Sequence, residues 1–435
     1  MSERESPARP EGSVRASVSL LRRNRDFRRL FFASVISLGG DWFLFVAIGS
    51  LVYEATGRAI SVGFVIVAQE LPFFFASWFG GILADRMDRR KLMIACDAAR
   101  AVVCVAFLLV SPERLWLAFA LLALLSTFAG PYDPASSAAT PNVVDPEDLP
   151  IANALNGSLW GTMLAVGAAL GGIVAGVFGA NTAFLVDAVS FVISALLLLG
   201  VHRPFSEERD VKEHPGPIEA TRETVRYARR DRRVLALLVV KAGFGLAAGV
   251  LALIVVFAHE VFHAGTRGYG LLMAFRGLGA LIGPFLGHRL AGPGHRRLFD
   301  AIAVALAVFG LSYITLGLMP SIWLGALTVL CAHLGGGAQW VLSTYGLQRL
   351  VPDRIRGRIF AADYAMITLT LTVSGLVAAS LADAIGPREA VAIVGALALV
   401  WSAVWWSLTR KIGRNLALDP APAETGAAAP AIAPP

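Results

Sequence analysis

Between Phe31 and Leu408 the sequence returns repeatedly to apolar runs of about 18 to 25 residues, the length that crosses a bilayer core as helix. A soluble chain of 435 residues buries one or two such runs but not a dozen. Charged side chains make up only 16% of the sequence, where a soluble domain carries about 25%. The shortfall is concentrated in these blocks, and mean hydropathy is +0.65. The chain therefore reads as an all-α polytopic membrane protein. Its spans are predicted at 30–53, 60–83, 92–110, 115–139, 156–178, 181–201, 234–258, 268–290, 298–318, 321–344, 359–384 and 389–409.

Twelve spans place both termini on one side, and the basic residues say which side. The segments facing it hold 31 of the 38 Lys and Arg residues. The opposite loops hold four (Arg58, Arg114, Arg267, Arg388), and Arg100, Lys241 and Arg276 lie within spans. Lys and Arg concentrate on the cytoplasmic side, so both termini are expected there. The net charge of +7 follows from the same bias and is not read as a nucleic-acid surface. Residues 1–29 form a basic segment expected to anchor at lipid headgroups, 30–201 and 234–409 two six-helix bundles, and 202–233 a cytoplasmic linker. The part of the linker from Glu219 to Arg233 could form a basic helix on the membrane surface. Residues 410–435, rich in Ala and Pro from Leu416 onward, are expected to be disordered. The first apolar run is long and lacks a cleavage pattern, so it reads as a span rather than a signal peptide. Cys96, Cys104 and Cys331 all fall inside apolar runs, without a CxxC pair or clustered His. Neither disulfide, metal nor cofactor is expected.

The two halves are related. Gly81-Ile82-Leu83-Ala84-Asp85-Arg86 after the second span matches Pro284-Phe285-Leu286-Gly287-His288-Arg289 after the eighth, and each is followed by a basic pair. Val144-Asp145-Pro146 after the fourth span matches Val351-Pro352-Asp353 after the tenth. The offsets, 288 − 85 = 203 and 352 − 146 = 206, nearly agree. Halves related by a parallel repeat put a cavity between two bundles.

The segment GGILADRMDRRKL, between the second and third spans, resembles the motif that transporters of the major facilitator superfamily carry at this position, G-x-x-x-D-R-x-G-R-R/K. Gly81, Asp85, Arg86, Arg89 and Arg90 match, and Asp88 stands where the family prefers Gly. The resemblance implies a cytoplasmic gate in which Asp85 engages the start of span 11, near Arg356-Gly357-Arg358. A carboxylate is stabilised at a helix N-terminus, and Gly81 lets helices approach closely. In span 5, Gly167-Ala168-Ala169-Leu170-Gly171-Gly172 resembles the antiporter motif ending G-P-x-x-G-G, with Ala168 in place of Pro. Helix packing accounts for these glycines equally well.

Further segments resemble one bacterial exporter branch, which holds the enterobactin exporter and macrolide efflux proteins. They are Arg-Asp-Phe-Arg-Arg-Leu before span 1, Gly40-Asp41, Pro141 through Asn153, Phe184-Leu185-Val186-Asp187 and Pro352 through Arg358. This implies a monomeric transporter of the bacterial inner membrane, not an enzyme. Its expected function is proton-coupled export of amphipathic small molecules by alternating access. The alternative is facilitated exchange of a lysophospholipid without a proton gradient.

A charge at the bilayer centre is costly, so each intramembrane ionisable residue is a candidate. Asp41 and Glu70 could bind a proton or substrate, or make structural hydrogen bonds. Asp97 and Arg100, three apart, share a helix face and are expected to neutralise each other. Arg276 has no carboxylate within a turn and is expected to reach Asp41 or Glu70 across the cavity. Asp187 and Asp363 read as peripheral, Lys241 as snorkelling, and Asp133 as lying after a break at Gly130-Pro131. His333, Gln339 and Trp340 could line the cavity.

Overall fold

The computed structural model describes residues 14–205, 217–292 and 297–414. Within its helices, the side chains of Trp78, Gly81, Ile82, Ala84, Asp85, Arg86, Asp353 and Arg354, and of residues 14, 217–221, 223, 413 and 414, fall outside that set. So do residues 1–13 and the tail from 415 onward.

Among the described residues, twelve helices are long and apolar enough to cross a membrane. The first six spans are Arg25–Thr56, Ala59–Arg86, Arg89–Leu109, Pro112–Val143, Pro146–Phe178 and Ala180–Leu199. Spans 7 to 12 are Arg232–Val261, Gly265–Ala291, Leu298–Leu316, Ile322–Leu350, Asp353–Ile385 and Pro387–Arg414. Two amphipathic helices, Val14–Arg23 and Pro217–Arg230, precede spans 1 and 7. The second stops short of Arg233 because Asp231 caps span 7, accepting from the Arg233 amide at 2.9 Å.

Several helices run past the apolar segments on the face that carries the termini. Span 1 begins at Arg25, capped by the Asn24 side chain on the Phe27 amide at 2.9 Å, rather than at residue 30. Span 4 continues to Val143 and span 10 to Leu350. Apolar content marks only the stretch that needs lipid, while intrahelical hydrogen bonding carries polar turns on into the headgroup region.

The expected break at Gly130-Pro131 does not occur. Span 4 is helical through Pro131, Pro134 and Pro141. In lipid no water would satisfy an opened backbone, so proline is accommodated within the helix by its neighbours. Span 2 is that neighbour: a Cβ added to Gly80 would lie 2.6 Å from Pro131 Cα, and one added to Gly130 would lie 2.6 Å from the Ala76 carbonyl carbon. The irregular helix is span 7 instead. It passes from α-helix to a 3₁₀ turn at Ala248–Val250 and closes in a π-turn at Phe257–Val261. Ser374 of span 11 donates to the Gly245 carbonyl at 2.8 Å beside this turn.

Spans 1 to 6 and 7 to 12 pack in the same pattern: 2 on 4 as 8 on 10, 3 on 6 as 9 on 12, 1 on 5 as 7 on 11. The halves meet along two antiparallel seams, span 5 with span 8 and span 2 with span 11. In the first, Gly172 faces Gly270 and Ala165 faces Gly277, and an added Cβ would come within 2.6 Å of backbone at each glycine. In the second, Gly63 faces Ala379. The seams are copies of each other, since 270 − 63 = 207 and 379 − 172 = 207. Within the halves, Gly80 on Pro131 repeats as Gly287 on Ala338 at the same spacing. Small residues let backbones touch along these lines without interlocking side chains.

Replacing Gly172 by Leu should force spans 5 and 8 apart and cost about 1–3 kcal/mol. The check is the thermal midpoint in detergent against Gly157→Ala, which meets open space. Equal midpoints would contradict the seam.

Candidate functional site

The intramembrane charges sort by half. In the first, Arg100 of span 3 donates from one nitrogen to both oxygens of Asp41 on span 1, each at 2.8 Å. Asp97, one turn back, lies 3.6 Å from the same guanidinium and accepts from the Ser194 hydroxyl at 2.6 Å. Phe191 stacks on the guanidinium, which lies 4.0 Å from its ring centre. Asp187 of span 6 is fully buried nearby and accepts from the Cys104 thiol at 3.3 Å. Three carboxylates thus surround one guanidinium. Arg100 and Asp97 are sealed, at 3% and 0% side-chain exposure, whereas Asp41 is 31% exposed.

This corrects two expectations. Asp41 does not reach across to Arg276, because Arg100 in its own half occupies it. Asp187 belongs to the buried cluster rather than to the periphery. Gly40 makes the arrangement possible, since a Cβ there would collide with Ser190 and Asp187.

In the second half Lys241 of span 7 is 1% exposed and bonds to Asp363 of span 11. Thr344 lies 2.9 Å away and Trp340 stacks over the ammonium at 4.9 Å. Lys241 therefore does not snorkel. Span 11 brings a carboxylate to it, and pairing inside is less costly than uncurling a side chain from nine residues within the helix. Of the expected cavity residues in span 10, His333 is bonded to Tyr313 at 2.9 Å, while Gln339 is fully buried with neither amide atom bonded.

Arg276 differs from both buried cations. It lies mid-way along span 8 in the first seam, 8% exposed, with no hydrogen bond or ion pair to a described residue. The guanidinium carbon lies 5.5 Å from the ring centre of Trp160 on span 5. Glu70, its expected partner on span 2, forms no ion pair with it. Trp160 is 48% exposed and Tyr364, which meets Phe73 across the second seam, is 40% exposed. Asp133 on span 4 is exposed as well.

Polar contacts between the halves gather at the face opposite the termini. Asp383, at the end of span 11, accepts from the Ala59 and Ile60 amides that open span 2, at 2.7 and 3.1 Å, and Arg58 lies 3.8 Å away. Tyr53 donates to Glu260 at 2.7 Å, and Thr266 to Glu54 at 3.2 Å. His259 lies 3.2 Å from Ser50.

Residues 17–427 match the transmembrane secretion effector family of major facilitator transporters. The chain belongs to that family. It is similar to macrolide efflux protein A of Streptococcus pyogenes, 24% identical over 85% of this chain and 93% of that one. It is also similar to an enterobactin exporter of Citrobacter koseri, 28% identical over 79% and 82%. In fold it resembles a crystal structure of a POT family transporter in complex with a thioalcohol-conjugated peptide. The TM-score is 0.74 at 13% identity, covering 89% of this chain and 96% of that one. The chain is a membrane transporter, not an enzyme.

In the motif between spans 2 and 3, the side chains at Gly81, Asp85 and Arg86 lie outside the described residues. Arg89 donates to the Ala138 and Phe205 carbonyls at 2.9 and 3.1 Å. Arg90 donates to Leu198 at 2.9 Å and to Leu199. Arg90 satisfies carbonyls left open at the end of span 6, and Arg89 ties span 3 to span 4 and to the segment after span 6. Asp88 needs no glycine: its φ is −60°, and it caps span 3 by accepting from the Lys91 amide at 2.9 Å. Arg358 lies in the first turns of span 11, one helical turn past Asp353. The span 5 glycines divide by direction. Gly167 and Gly171 rest on Trp42 and Phe43 of span 1, whereas Gly161, Gly172 and Gly176 rest on span 8.

Sequence reasoning missed Trp160 and the far-face contacts of Asp383, Glu260 and Glu54. Acidic residues beside loops with only four basic ones were a signal that could have found the latter.

Two predictions follow from the charges. Lys241→Met strands Asp363 and should cost about 3–5 kcal/mol, while the double variant with Asp363→Leu should recover most of it. Thermal unfolding in detergent decides, and a double variant no better than the single would refute the pairing. Asp383→Asn should weaken the far-face latch. Spin labels placed at the ends of spans 2 and 11 should then report more of a far-open population, and unchanged distances would remove Asp383 from the latch.

Proposed function

We propose that this transporter exports amphipathic small molecules from the cytoplasm in exchange for protons, by alternating access across the bacterial inner membrane. The basic face that bears the termini is the cytoplasmic one. On that reading the contacts of Asp383, Glu260 and Glu54 join the halves at the outer face. The resemblance to the family's gate would have Asp85 meet the start of span 11 at the cytoplasmic face as Asp383 meets the start of span 2 at the outer one. Both contacts set a carboxylate on the positive end of a helix.

The observation that carries the coupling is the position of Asp41. Its carboxylate binds the sealed Arg100 and is also the one member of that cluster substantially open to solvent. A proton reaching this cluster through its open member would release the Asp41–Arg100 bond between spans 1 and 3. Span 1 carries that change to the seam, because Trp42 and Phe43 bear on Gly167 and Gly171 of span 5.

Proteoliposomes with an imposed pH gradient and a fluorescent amphipathic probe test this reading. Wild type should accumulate the probe against its gradient and lose that ability with an uncoupler. Asp41→Asn should abolish uphill accumulation while keeping downhill exchange. Full uphill transport by Asp41→Asn removes the proton site, and wild-type activity indifferent to the gradient favours lipid exchange. Arg15→Cys should react with an impermeant maleimide only in permeabilised cells, and Arg114→Cys in intact ones. The reverse result would invert the orientation.

A further inference from the structure

We propose that the transporter's substrate is an aromatic amphipath bearing an acidic group, and that Arg276 with Trp160 is the site that holds it. This rests on the transport reading above and adds the substrate's charge and shape.

The case begins with the contrast among the buried cations. Arg100 is held by Asp41 and Asp97, and Lys241 by Asp363. Arg276 lies mid-way along its span and is nearly as enclosed, yet no described residue accepts a hydrogen bond from it, and its Nε is sealed without an acceptor. A buried donor left unpaired is costly, so the site suits an acceptor that the protein does not itself supply. Five N–H donors in a planar fork fit a carboxylate or sulfonate through two parallel bonds.

The surroundings set the rest of the ligand. Trp160 lies under the guanidinium and is half open. Trp42 meets it edge-on, with ring centres 6.1 Å apart, and the row continues through Phe45 at 5.4 Å to Tyr269 at 6.4 Å. Trp42 Nε1 is a second buried donor on this wall with no acceptor. An aromatic row with two orphan donors at one end matches a flat apolar body carrying an acidic oxygen group. The site also bridges the halves, since Arg276 stands on span 8 beside Gly277 and Trp160 on span 5 beside Gly161. A ligand held there touches both sides of the seam.

The test uses the purified full-length chain in detergent and three probes of one shape: 2-naphthoate, 2-naphthylmethanol and 2-naphthylmethylammonium. Binding is read by tryptophan fluorescence. Wild type should bind 2-naphthoate at least tenfold more tightly than the other two. Arg276→Gln should lose about tenfold or more for naphthoate and leave the alcohol unchanged, the scale of a charge-assisted bond. Trp160→Leu should weaken both naphthoate and the alcohol, which covers the case in which Arg276→Gln does not fold.

Preference for the ammonium probe, equal binding of all three, binding of none, or unchanged naphthoate affinity in Arg276→Gln overturns the proposal. So does binding of an anionic lysophospholipid where naphthoate does not bind. The transport reading fails separately: it is lost if proteoliposomes move no amphipath of any charge, and it stands if they move a neutral or cationic one while naphthoate fails to bind.

Discussion

Two antiparallel lines of small residues hold this protein together at its centre and also let it move. Lipid supplies no hydrophobic drive for helices to associate, so spans 5 and 8 adhere only where backbones come close enough for dispersion contacts. Gly172 on Gly270 and Ala165 on Gly277 provide that closeness. The same pairing recurs with Gly63 on Ala379, offset by one repeat. About these lines lie the hydrogen bonds of the face opposite the termini and the aromatic row beside Arg276.

The buried charges follow a division that only the folded chain reveals. Each half settles its own cations: Arg100 by carboxylates of spans 1 and 3, Lys241 by one from span 11. Each of these pairs lies within one half, so none of them ties the two halves together. Arg276 and Glu70 lie on the two seams themselves and are left without a bond. The charges on the seams thus stay unpaired while those inside each bundle are consumed within it.

The number and approximate extent of the spans were legible because apolar length answers directly to bilayer thickness, and the charged loops independently fix which face they share. Gly40-Asp41 and the span 5 glycines were also visible, because small residues and charges are conspicuous in an apolar run. Pairing was not. Asp41 and Arg100 are 59 residues apart and Lys241 and Asp363 are 122 apart, so their meeting depends on how each helix is rotated about its axis. Hydropathy carries no such angle. Pro131 misled for a related reason: proline breaks a helix that has nothing beside it, and span 4 has the backbone of span 2 there. Asp88 replaces the expected glycine by a different device, a capped helix start in place of a flexible turn.

The far-face latch sets the energetic scale of the transition. Its described bonds are few, several involve solvent-exposed partners such as Arg58 and Glu54, and such contacts are each worth about 0–1 kcal/mol. The strongest of them, Asp383 on two amides at the start of span 2, depends on the helix dipole and gains about as much from any helix N-terminus offered to a carboxylate. A counterpart between Asp85 and span 11 would return a similar amount when the other end closes. Seams of small residues and a far face joined by a few such contacts would leave two arrangements of the halves separated by only a few kcal/mol. A difference that small can be tipped by the binding free energy of one acidic ligand or one proton, which is the condition an exchanger must meet.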